Sequence, residues 1–345
     1  MLRGTMRTCD LVSVVALSCL IAQAGCGDGS RSATGSPADL TAANLNLLHG
    51  LFCDEETAAC RLEDRVDLLF EWIEASGCPD VVALQEIWDP AVPFIEARLR
   101  GACSFDYEMV YERTNTVDDA IVLTRYPAVA VEVVELYKRF RYALRARIDH
   151  PIGPVDIFTT HLASGADGAG NPCEGDCPRE CVAAGAQTVR QCQAVQLALL
   201  VEARHGVATP ALVLGDMNAR PGDFEYEQFV GRGWPDVHLA AGNPECDPNT
   251  GFGCTSSGRG GDLVGLESPD ATLRSRVDYI FLVPPGASDE CLGVLDSGRD
   301  DDGDGTATGG FADAPNPFAE SCGPIPLPIC WPSNHNGVLV DLNCS

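Results

Sequence analysis

Polar side chains that can hold a metal ion or move a proton recur along this 345-residue chain where short apolar segments end. Clefts form at the edge of a sheet where strands end, so such side chains can converge there. Carboxylate and amide oxygens suit Mg²⁺ or Mn²⁺, and neutral histidine suits proton transfer or contact with a phosphate. Each residue alone has an ordinary explanation, such as a turn cap, so the prediction depends on their joint occurrence. The candidates are Asn46, Glu86, His161, Asp216, Asn218, Asp278 and His335.

The apolar segments predict the elements that carry these residues. Leu62, Val66 and Leu69 have the spacing of an amphipathic helix over 62–75, and a second helix is predicted over 187–202. Helices alternate with strands at first and strands follow in runs later, which indicates two packed sheets with helices outside. The predicted strands cover 40–47, 80–84, 120–124, 129–134, 143–148, 155–160, 211–214, 277–283 and 337–342.

The composition is that of an acidic globular protein, long enough for one large or two ordinary domains. The net charge of −27 comes from 23 basic and 50 acidic residues. Such a surface repels polyphosphate unless a cation or a local basic rim intervenes, which disfavours tight nucleic-acid binding. One dense basic stretch stands out, and alternation along a strand would put its residues on one face, either as a nucleic-acid contact or as a solvated face. These residues are Arg139, Arg141, Arg145 and Arg147.

The beginning of the chain predicts export. A short basic region precedes an apolar run over 11–24 that is too short to span a bilayer comfortably. The run ends in a small-small-Cys pattern that resembles a bacterial lipoprotein cleavage site, with Cys26 as the lipidated residue and Gln23 in place of the usual Leu. An ordinary signal peptide cut near Ala24 is the alternative. The boundaries we predict are a signal peptide over 1–25, a flexible linker over 26–37 and a folded domain over 38–345.

The cysteine count supports export. Of 17 cysteines, Cys9 and Cys19 lie in the predicted signal peptide and Cys26 would carry lipid. The remaining 14 form an even number, consistent with seven disulfides in an oxidising compartment. A zinc cluster is less favoured, because neither a nearby histidine pair nor two close CxxC units accompany the densest group. That group is Cys173, Cys177, Cys181 and Cys192.

Two segments are predicted to be surface insertions. Residues 165–181 are rich in glycine and cysteine, and residues 296–317 are rich in aspartate and glycine. The second segment begins like a calcium loop, but its twelfth position is Phe311 instead of glutamate. A solvated acidic loop is therefore favoured over a calcium site.

Six motifs in order resemble those of the endonuclease/exonuclease/phosphatase superfamily. This superfamily includes pancreatic-type deoxyribonucleases, abasic-site endonucleases, bacterial sphingomyelinases and inositol-phosphate phosphatases. The resemblance covers the chain from about Ala38 onward, and the order of the motifs at domain-scale spacing makes it specific. The motifs are Leu-Asn-Leu-Leu-His-Gly at 45–50, Leu-Gln-Glu at 84–86, Thr-His-Leu at 160–162, Gly-Asp-Met-Asn at 215–218, Arg-Val-Asp-Tyr at 276–279 and Ser-Asn-His at 333–335.

The resemblance implies an α/β fold, a four-layer α/β/β/α sandwich, here with disulfide-stapled loop insertions. It implies Mg²⁺ or Mn²⁺ bound chiefly by Glu86 and helped by Asn46, with in-line attack of water on phosphorus. The family commonly has aspartate before the final histidine, and here that position is Asn334, which can ligate a metal but brings no charge.

The resemblance also implies roles for the remaining candidates. His335, oriented by Asp278, would be the general base or would stabilise the transition state. Asp216 would orient or deprotonate the attacking water, and Asn218 would hold the water or the phosphate. His161 would donate a hydrogen bond to a non-bridging oxygen.

Three functions remain open at this point. The favoured one is an exported phosphodiesterase or phosphatase, acting as a monomer on a phosphorylated small molecule, a lipid or a nucleic acid. A lipid on Cys26 would attach it to the outer or cell-surface membrane, in the periplasm or at the cell surface. The alternatives are an extracellular nuclease and a catalytically impaired surface-binding module, the latter suggested by Asn334.

Overall fold

Strands dominate the computed structural model, which describes residues 39–48, 61–114, 118–166, 168–206, 210–256, 273–285, 293–296 and 333–343. The strands are β1 (Asp39–Asn46), β2 (Val81–Ile87), β3 (Glu108–Val110), β4 (Asp119–Thr124), β5 (Ala128–Glu135), β6 (Tyr142–His150), β7 (Gly153–His161), β8 (Ala211–Asp216), β9 (Asp278–Val283), β10 (Gly293–Asp296) and β11 (Val338–Asn343). The helices are α1 (Leu62–Ala75), α2 (Val92–Arg98), α3 (Arg179–Ala184), α4 (Val189–Arg204), α5 (Phe224–Val230) and α6 (Val237–Ala240).

The strands form two mixed sheets. The first has the order β10-β11-β1-β2-β4-β3, and the second has the order β5-β6-β7-β8-β9. Within the first sheet β1 pairs with β2 in parallel, and within the second β7 pairs with β8 in parallel. The carboxyl ends of each parallel pair therefore lie at one edge of their sheet.

Three apolar layers hold the sheets and helices together. Residues such as Leu40, Val81, Ile157 and Leu212 fill the space between the two sheets. Helix α1 buries Val66, Leu69 and neighbouring residues against the outer face of the first sheet, and α4 and α5 pack against the outer face of the second. This arrangement confirms the four-layer α/β/β/α sandwich.

The predicted elements agree closely with the observed ones where the apolar pattern is long. Helix α1 has the predicted bounds, and each predicted strand is present with ends shifted by a few residues at most. Strands β3 and β10 and the short helices α2, α3, α5 and α6 were not predicted. They span only three to seven residues each, too short to show a periodic pattern.

The cysteine-rich insertion is stapled by disulfides, the arrangement that the sequence favoured over a zinc cluster. Cys173 pairs with Cys177 and Cys181 pairs with Cys192, and two further bonds are Cys78–Cys103 and Cys246–Cys254. The remaining cysteines of the 14, the predicted signal peptide, the residue Cys26 and the acidic segment beyond Asp296 lie outside the described residues. In the described part of the chain, no helix is long and apolar enough to cross a membrane.

A polar cluster joins the two sheets at the end opposite to the parallel carboxyl ends. The Asp80 carboxylate accepts hydrogen bonds from Thr41 N at 3.1 Å and Thr41 Oγ1 at 3.0 Å. His150 Nε2, on β6 of the second sheet, lies 3.7 Å from Asp80 Oδ2. The cluster therefore fixes the two layers relative to each other away from the candidate site.

Candidate active site

The carboxyl ends of the two parallel pairs bring the predicted residues together. Asn46 ends β1 and Glu86 lies near the end of β2, in the first sheet. His161 and Asp216 are register partners at the ends of β7 and β8, in the second sheet. Beneath them, Gln85 Nε2 donates to Asn44 Oδ1 at 2.8 Å and to Thr159 Oγ1 at 3.0 Å, which links the sheets below the site.

Two of the candidate residues adopt left-handed backbone conformations. Glu86 has φ 56° and Asn218 has φ 49°. The β2–β4 register shifts between Leu84 and Ile87, so Glu86 lies in a bulge. A bulge re-aims one side chain of a strand, and such strain persists where the surroundings enforce it, commonly at functional sites. In this way Glu86 leaves the strand alternation and reaches the space between the sheets.

Gly215 permits the close approach of β7 and β8 just before Asp216. Its φ is 154°, and an added Cβ would overlap the backbone carbonyl oxygen of Thr160 on the neighbouring strand. Only glycine fits this approach without movement of the backbone. The glycine before Asp216 therefore has a packing role in the site's construction.

A side-chain amide lies between two carboxylates at the centre of the site. Asn46 Nδ2 donates to Glu86 Oε1 at 2.9 Å and to Asp216 Oδ2 at 3.0 Å, while Asn46 Oδ1 accepts from Leu48 N at 3.0 Å. His161 Nε2 lies 3.9 Å from Glu86 Oε1 and 3.5 Å from Asp216 Oδ2. Two largely buried carboxylates this close repel each other. The partial positive charge of the Asn46 amide hydrogens offsets this repulsion only weakly.

These residues fit a divalent cation. The ligand atoms of Glu86, His161 and Asp216 all lie within 4.8 Å of one another, and a second group is formed by Asp216, Asp278 and His335. Carboxylate oxygens with one imidazole nitrogen are a donor set for Mg²⁺ or Mn²⁺. To contribute its oxygen, Asn46 would have to turn its amide, because Nδ2 faces the carboxylates.

His335 and Asp278 form a buried ion pair. His335 Nδ1 lies 2.8 Å from Asp278 Oδ2. Burial lowers the pKa of His335, but the charges of Asp278, Asp216 and Glu86 outweigh it and raise the pKa to about 9. Burial raises the pKa of Asp278 to about 6, although His335 opposes that shift. The proton of the pair therefore belongs to His335 at neutral pH.

His161 is held in its neutral form by different surroundings. Burial and then the charge of Arg141 lower its pKa below the usual value. Its Nδ1 lies 2.9 Å from Asp118 Oδ1 and 3.0 Å from Arg141 Nη1. Asn218 Nδ2 lies 2.9 Å from Nε2 and donates to the Leu162 carbonyl at 3.0 Å, which fixes the amide orientation. The neutral ring therefore donates from Nδ1 to Asp118 and accepts at Nε2 from Asn218.

Asn334 is buried beside His335, with 6% of its surface exposed. The preceding Ser333 Oγ donates to the Asn46 carbonyl at 2.5 Å and accepts from His335 N at 3.1 Å. This serine therefore ties the last motif to the end of β1. The assignment of Asn334 as a metal ligand stays a prediction.

Sequence reasoning missed four residues that support the site. Asp118 and Arg141 form an ion pair against His161, and Thr255 Oγ1 accepts from the backbone nitrogens of Val277 and Asp278 at 3.0 and 3.1 Å. Ser333 was included in a motif but given no role. The sequence around each of these four residues contains no signal for its role, because each makes at least one contact with a distant part of the chain.

The basic stretch does not form one exposed basic face. Arg139 is exposed in the β5–β6 turn, whereas Arg141 is buried against Asp118 and His161. Arg145 and Arg147 lie on β6 and both pair with Asp156, Arg145 Nη2 at 2.7 Å and Arg147 Nη1 at 3.6 Å. The prediction that all four arginines share one strand face is therefore wrong, because Arg139 and Arg141 precede β6. The charges of the three arginines other than Arg139 are compensated by carboxylates.

Solved structures of other proteins share this fold. The protein described as an endonuclease/exonuclease/phosphatase from Bacteroides vulgatus has 16% identity and a TM-score of 0.57, over 89% of this chain and 99% of that one. A mannosyl-6-phosphatase from Bacteroides thetaiotaomicron has 17% identity and a TM-score of 0.55, over 88% and 99%. A humanized D. rerio TDP2 carrying 14 mutations has 17% identity and a TM-score of 0.54, over 89% and 99%.

At these identities the structural likeness concerns the fold, and no curated protein sequence matches the chain. The model of the Endonuclease/Exonuclease/phosphatase family matches residues 43–335, a range that contains every candidate residue from Asn46 to His335. The described site and this match lead to one conclusion: the chain belongs to the endonuclease/exonuclease/phosphatase family.

Proposed function

We propose that this protein is an exported, divalent-metal-dependent phosphoester hydrolase in which water attacks phosphorus in line. The observation that carries the proposal is the position of the Asn46 amide between Glu86 Oε1 and Asp216 Oδ2, at 2.9 and 3.0 Å. A cation in that place would neutralise charge on the phosphoryl oxygens and polarise the scissile group. The family membership supports hydrolysis of a phosphoester, and the acidic donor set supports Mg²⁺ or Mn²⁺.

We assign separate roles in this reaction to the residues of the site. Glu86, with Asn46 and Asn334, would hold the cation. Asp216 is buried and accepts from Asn218 N at 2.8 Å, so its other carboxylate oxygen would orient or deprotonate the attacking water. Asn218 would hold that water or the phosphate.

His161 and His335 differ in charge, and we assign them different roles. His335, protonated and oriented by Asp278, would donate to the phosphoryl group as negative charge develops. His161 is neutral with Nε2 as an acceptor, so donation to a phosphate oxygen would require the proton to move from Nδ1 to Nε2. With Asp118 at Nδ1, the alternative is that Nε2 ligates the cation beside Glu86 and Asp216.

The experiment is a hydrolysis panel with Mg²⁺ or Mn²⁺ titrated from zero. The substrates are bis(p-nitrophenyl) phosphate, plasmid DNA, sphingomyelin and inositol phosphates. We expect metal-dependent hydrolysis of at least one, abolished in Glu86→Gln and retained in Glu71→Gln, a matched change on the exposed surface of α1. Absence of hydrolysis across the panel would favour the surface-binding alternative, and cleavage of plasmid DNA alone would favour the nuclease.

A further inference from the structure

A disulfide-stapled loop, residues 245–256, lies beside the last part of the candidate site. Its staple is the bond between Cys246 and Cys254, which are eight residues apart in the sequence. Cys254, Thr255 and Ser256 have only 3, 4 and 8% of their surfaces exposed. The residues that follow the staple are therefore packed inside the protein and not at its surface.

The first attachment of the stapled loop is to the segment that leads into β9. Thr255 Oγ1 accepts hydrogen bonds from two consecutive backbone nitrogens, Val277 N at 3.0 Å and Asp278 N at 3.1 Å. The backbone nitrogen of Thr255 donates to the Ser275 carbonyl at 2.9 Å. One residue therefore fixes the backbone from which the Asp278 side chain enters the site.

The second attachment is to the segment that carries His335. The Thr255 carbonyl accepts a hydrogen bond from Asn336 N at 2.7 Å, and Ser256 forms an antiparallel β-bridge with His335. His335 and Asp278 are 57 residues apart in the sequence, yet their side chains meet at 2.8 Å. The backbone segments of both residues are therefore held by the same two neighbours, Thr255 and Ser256.

A third attachment fixes the beginning of the stapled loop. Glu245 accepts two hydrogen bonds from the guanidinium of Arg276, from Nε at 2.9 Å and from Nη2 at 2.6 Å. Arg276 is only 2% exposed, and its Nη1 donates to Asp236 Oδ2 at 2.5 Å. A bidentate pair of this kind is directional, and a buried one resists separation because either partner alone would be an uncompensated charge. Both ends of the loop are therefore anchored on residues 275–278, one residue outside the disulfide at each end.

We propose that Thr255 is a positioning residue of the reaction and that the Cys246–Cys254 disulfide keeps it in place, so that the alignment of His335 with Asp278 depends on the stapled loop. This inference rests on the proposed function, because it concerns how His335 is aimed at the phosphoryl group. A cross-link removes conformations from the loop that it closes, so Thr255 stays near the amides that it accepts from. A displacement of about 1 Å in a catalytic group can cost about a hundredfold in rate.

The first test substitutes Thr255 and uses the ester of the panel that the wild type hydrolyses fastest, at saturating Mg²⁺. Thr255→Val keeps the side-chain shape but removes the oxygen that accepts from both amides, so kcat should fall by about tenfold or more while KM changes by less than about twofold. Thr255→Ser keeps that oxygen and should restore kcat to within about threefold of the wild type. The matched control is Thr41→Val, because Thr41 Oγ1 accepts from Asp80 N at 2.8 Å at the far end of the sandwich. This control should lower the melting temperature and leave kcat unchanged.

The second test removes the disulfide. Cys246→Ser/Cys254→Ser should lower kcat by about tenfold, as Thr255→Val does, again with KM nearly constant. The control is Cys78→Ser/Cys103→Ser, which removes a disulfide near the start of β2, away from the site, and should keep the wild-type kcat. All rates are compared at a temperature at which circular dichroism shows every variant to be folded.

Each outcome has a defined meaning. An unchanged kcat in Thr255→Val, or an equal loss of kcat in Thr41→Val, overturns the positioning role of Thr255. A wild-type kcat in the protein without the Cys246–Cys254 bond overturns the role of the disulfide. In these cases hydrolysis by the wild type shows that the proposed function stands. If the wild type hydrolyses no ester of the panel at any Mg²⁺ concentration, the proposed function and this inference are overturned together.

Discussion

The side chain of Asn46 donates to Glu86 Oε1 at 2.9 Å although the β1–β2 register places Asn46 opposite Gln85. The bulge and the left-handed φ of Glu86 bring its carboxylate back to the same side as Asn46. One irregular residue thus determines which carboxylate the first sheet contributes to the site.

The first prediction concerns that carboxylate. Glu86→Gln keeps the side-chain shape and removes one charge from a cluster that also contains Asp216. We expect Mn²⁺ affinity to fall by more than about tenfold, since a cation loses a partner at contact distance. Without metal, the melting temperature should be equal to or higher than that of the wild type, because two neighbouring carboxylates no longer repel. Titration calorimetry and thermal unfolding measure both, and unchanged affinity would remove Glu86 from the site.

The second prediction concerns the buried pair of Asp278 and His335. Asp278→Asn removes the strongest influence that raises the pKa of His335, so this pKa should fall from about 9. If protonated His335 donates in the transition state, activity is present below its pKa and lost above it. The alkaline limb of the rate profile should therefore move to lower pH, and kcat should fall about a hundredfold or more while KM changes little. A limb at the wild-type position would contradict the assigned role of His335.

A third prediction concerns Asn334. If it lies beside the cation, Asn334→Asp adds a negative charge there and should tighten Mg²⁺ binding by about ten- to thirtyfold, after the cost of burying the carboxylate. If Asn334 only positions His335, metal affinity should stay constant and the new charge should raise the pKa of His335. Metal titrations at two pH values separate these results, and a constant metal midpoint with a shifted pH profile rejects the ligand role.

The fourth prediction tests the close approach of β7 and β8. Gly215→Ala places a methyl group against the Thr160 carbonyl and forces a left-handed φ on an alanine. We expect a loss of about 3 kcal/mol or more in the free energy of unfolding. Gly206→Ala is the control, since nothing lies within 4 Å of its added Cβ. Urea unfolding of both variants measures this loss of stability. Equal midpoints would show that the methyl group added at Gly215 does not destabilise the protein.

The fifth prediction concerns the far end of the sandwich. Burial raises the pKa of Asp80, but the nearby imidazole of His150 and the hydrogen bonds from Thr41 outweigh it, so the folded-state pKa lies below its usual value. The resulting stability is present above the unfolded pKa of about 3.9 and is lost as pH falls through the folded value. Asp80→Asn should therefore destabilise the protein by about 1–3 kcal/mol at pH 7 and by much less near pH 3. A difference that is independent of pH would exclude this charge as the cause.

The sheets and α1 were predictable because their information is local. Apolar periodicity in segments such as 62–75 and 211–214 is visible within one or two turns or a single strand. Strand β3 was not visible, since Glu108–Val110 is too short and is held by pairing with β4. The apolar pattern predicted where the strands end, and therefore which polar residues lie close together at the edge of the sheets.

The surroundings of the histidines were beyond sequence reasoning. Arg141 belongs to a basic stretch, and alternation suggested an exposed face, but the turn before β6 directs it inward to Asp118 and His161. The opposite pKa shifts of His161 and His335 arise from burial combined with different neighbours, Arg141 for one and Asp278 for the other. Such neighbours are defined only by the packed structure.

The pairing of β1 with β11 has a consequence for the order of events in the cell. Asn46 and His335 lie near opposite ends of the described chain, and β1 has β11 on one side and β2 on the other. During synthesis, every segment before 333–343 can emerge while β1 has only β2 as a partner and still lacks β11. The candidate site, which includes both Asn46 and His335, is therefore complete only after residues 333–343 have been delivered. An incomplete chain that carries Asn46, Glu86, His161 and Asp216 still lacks the His335–Asp278 pair.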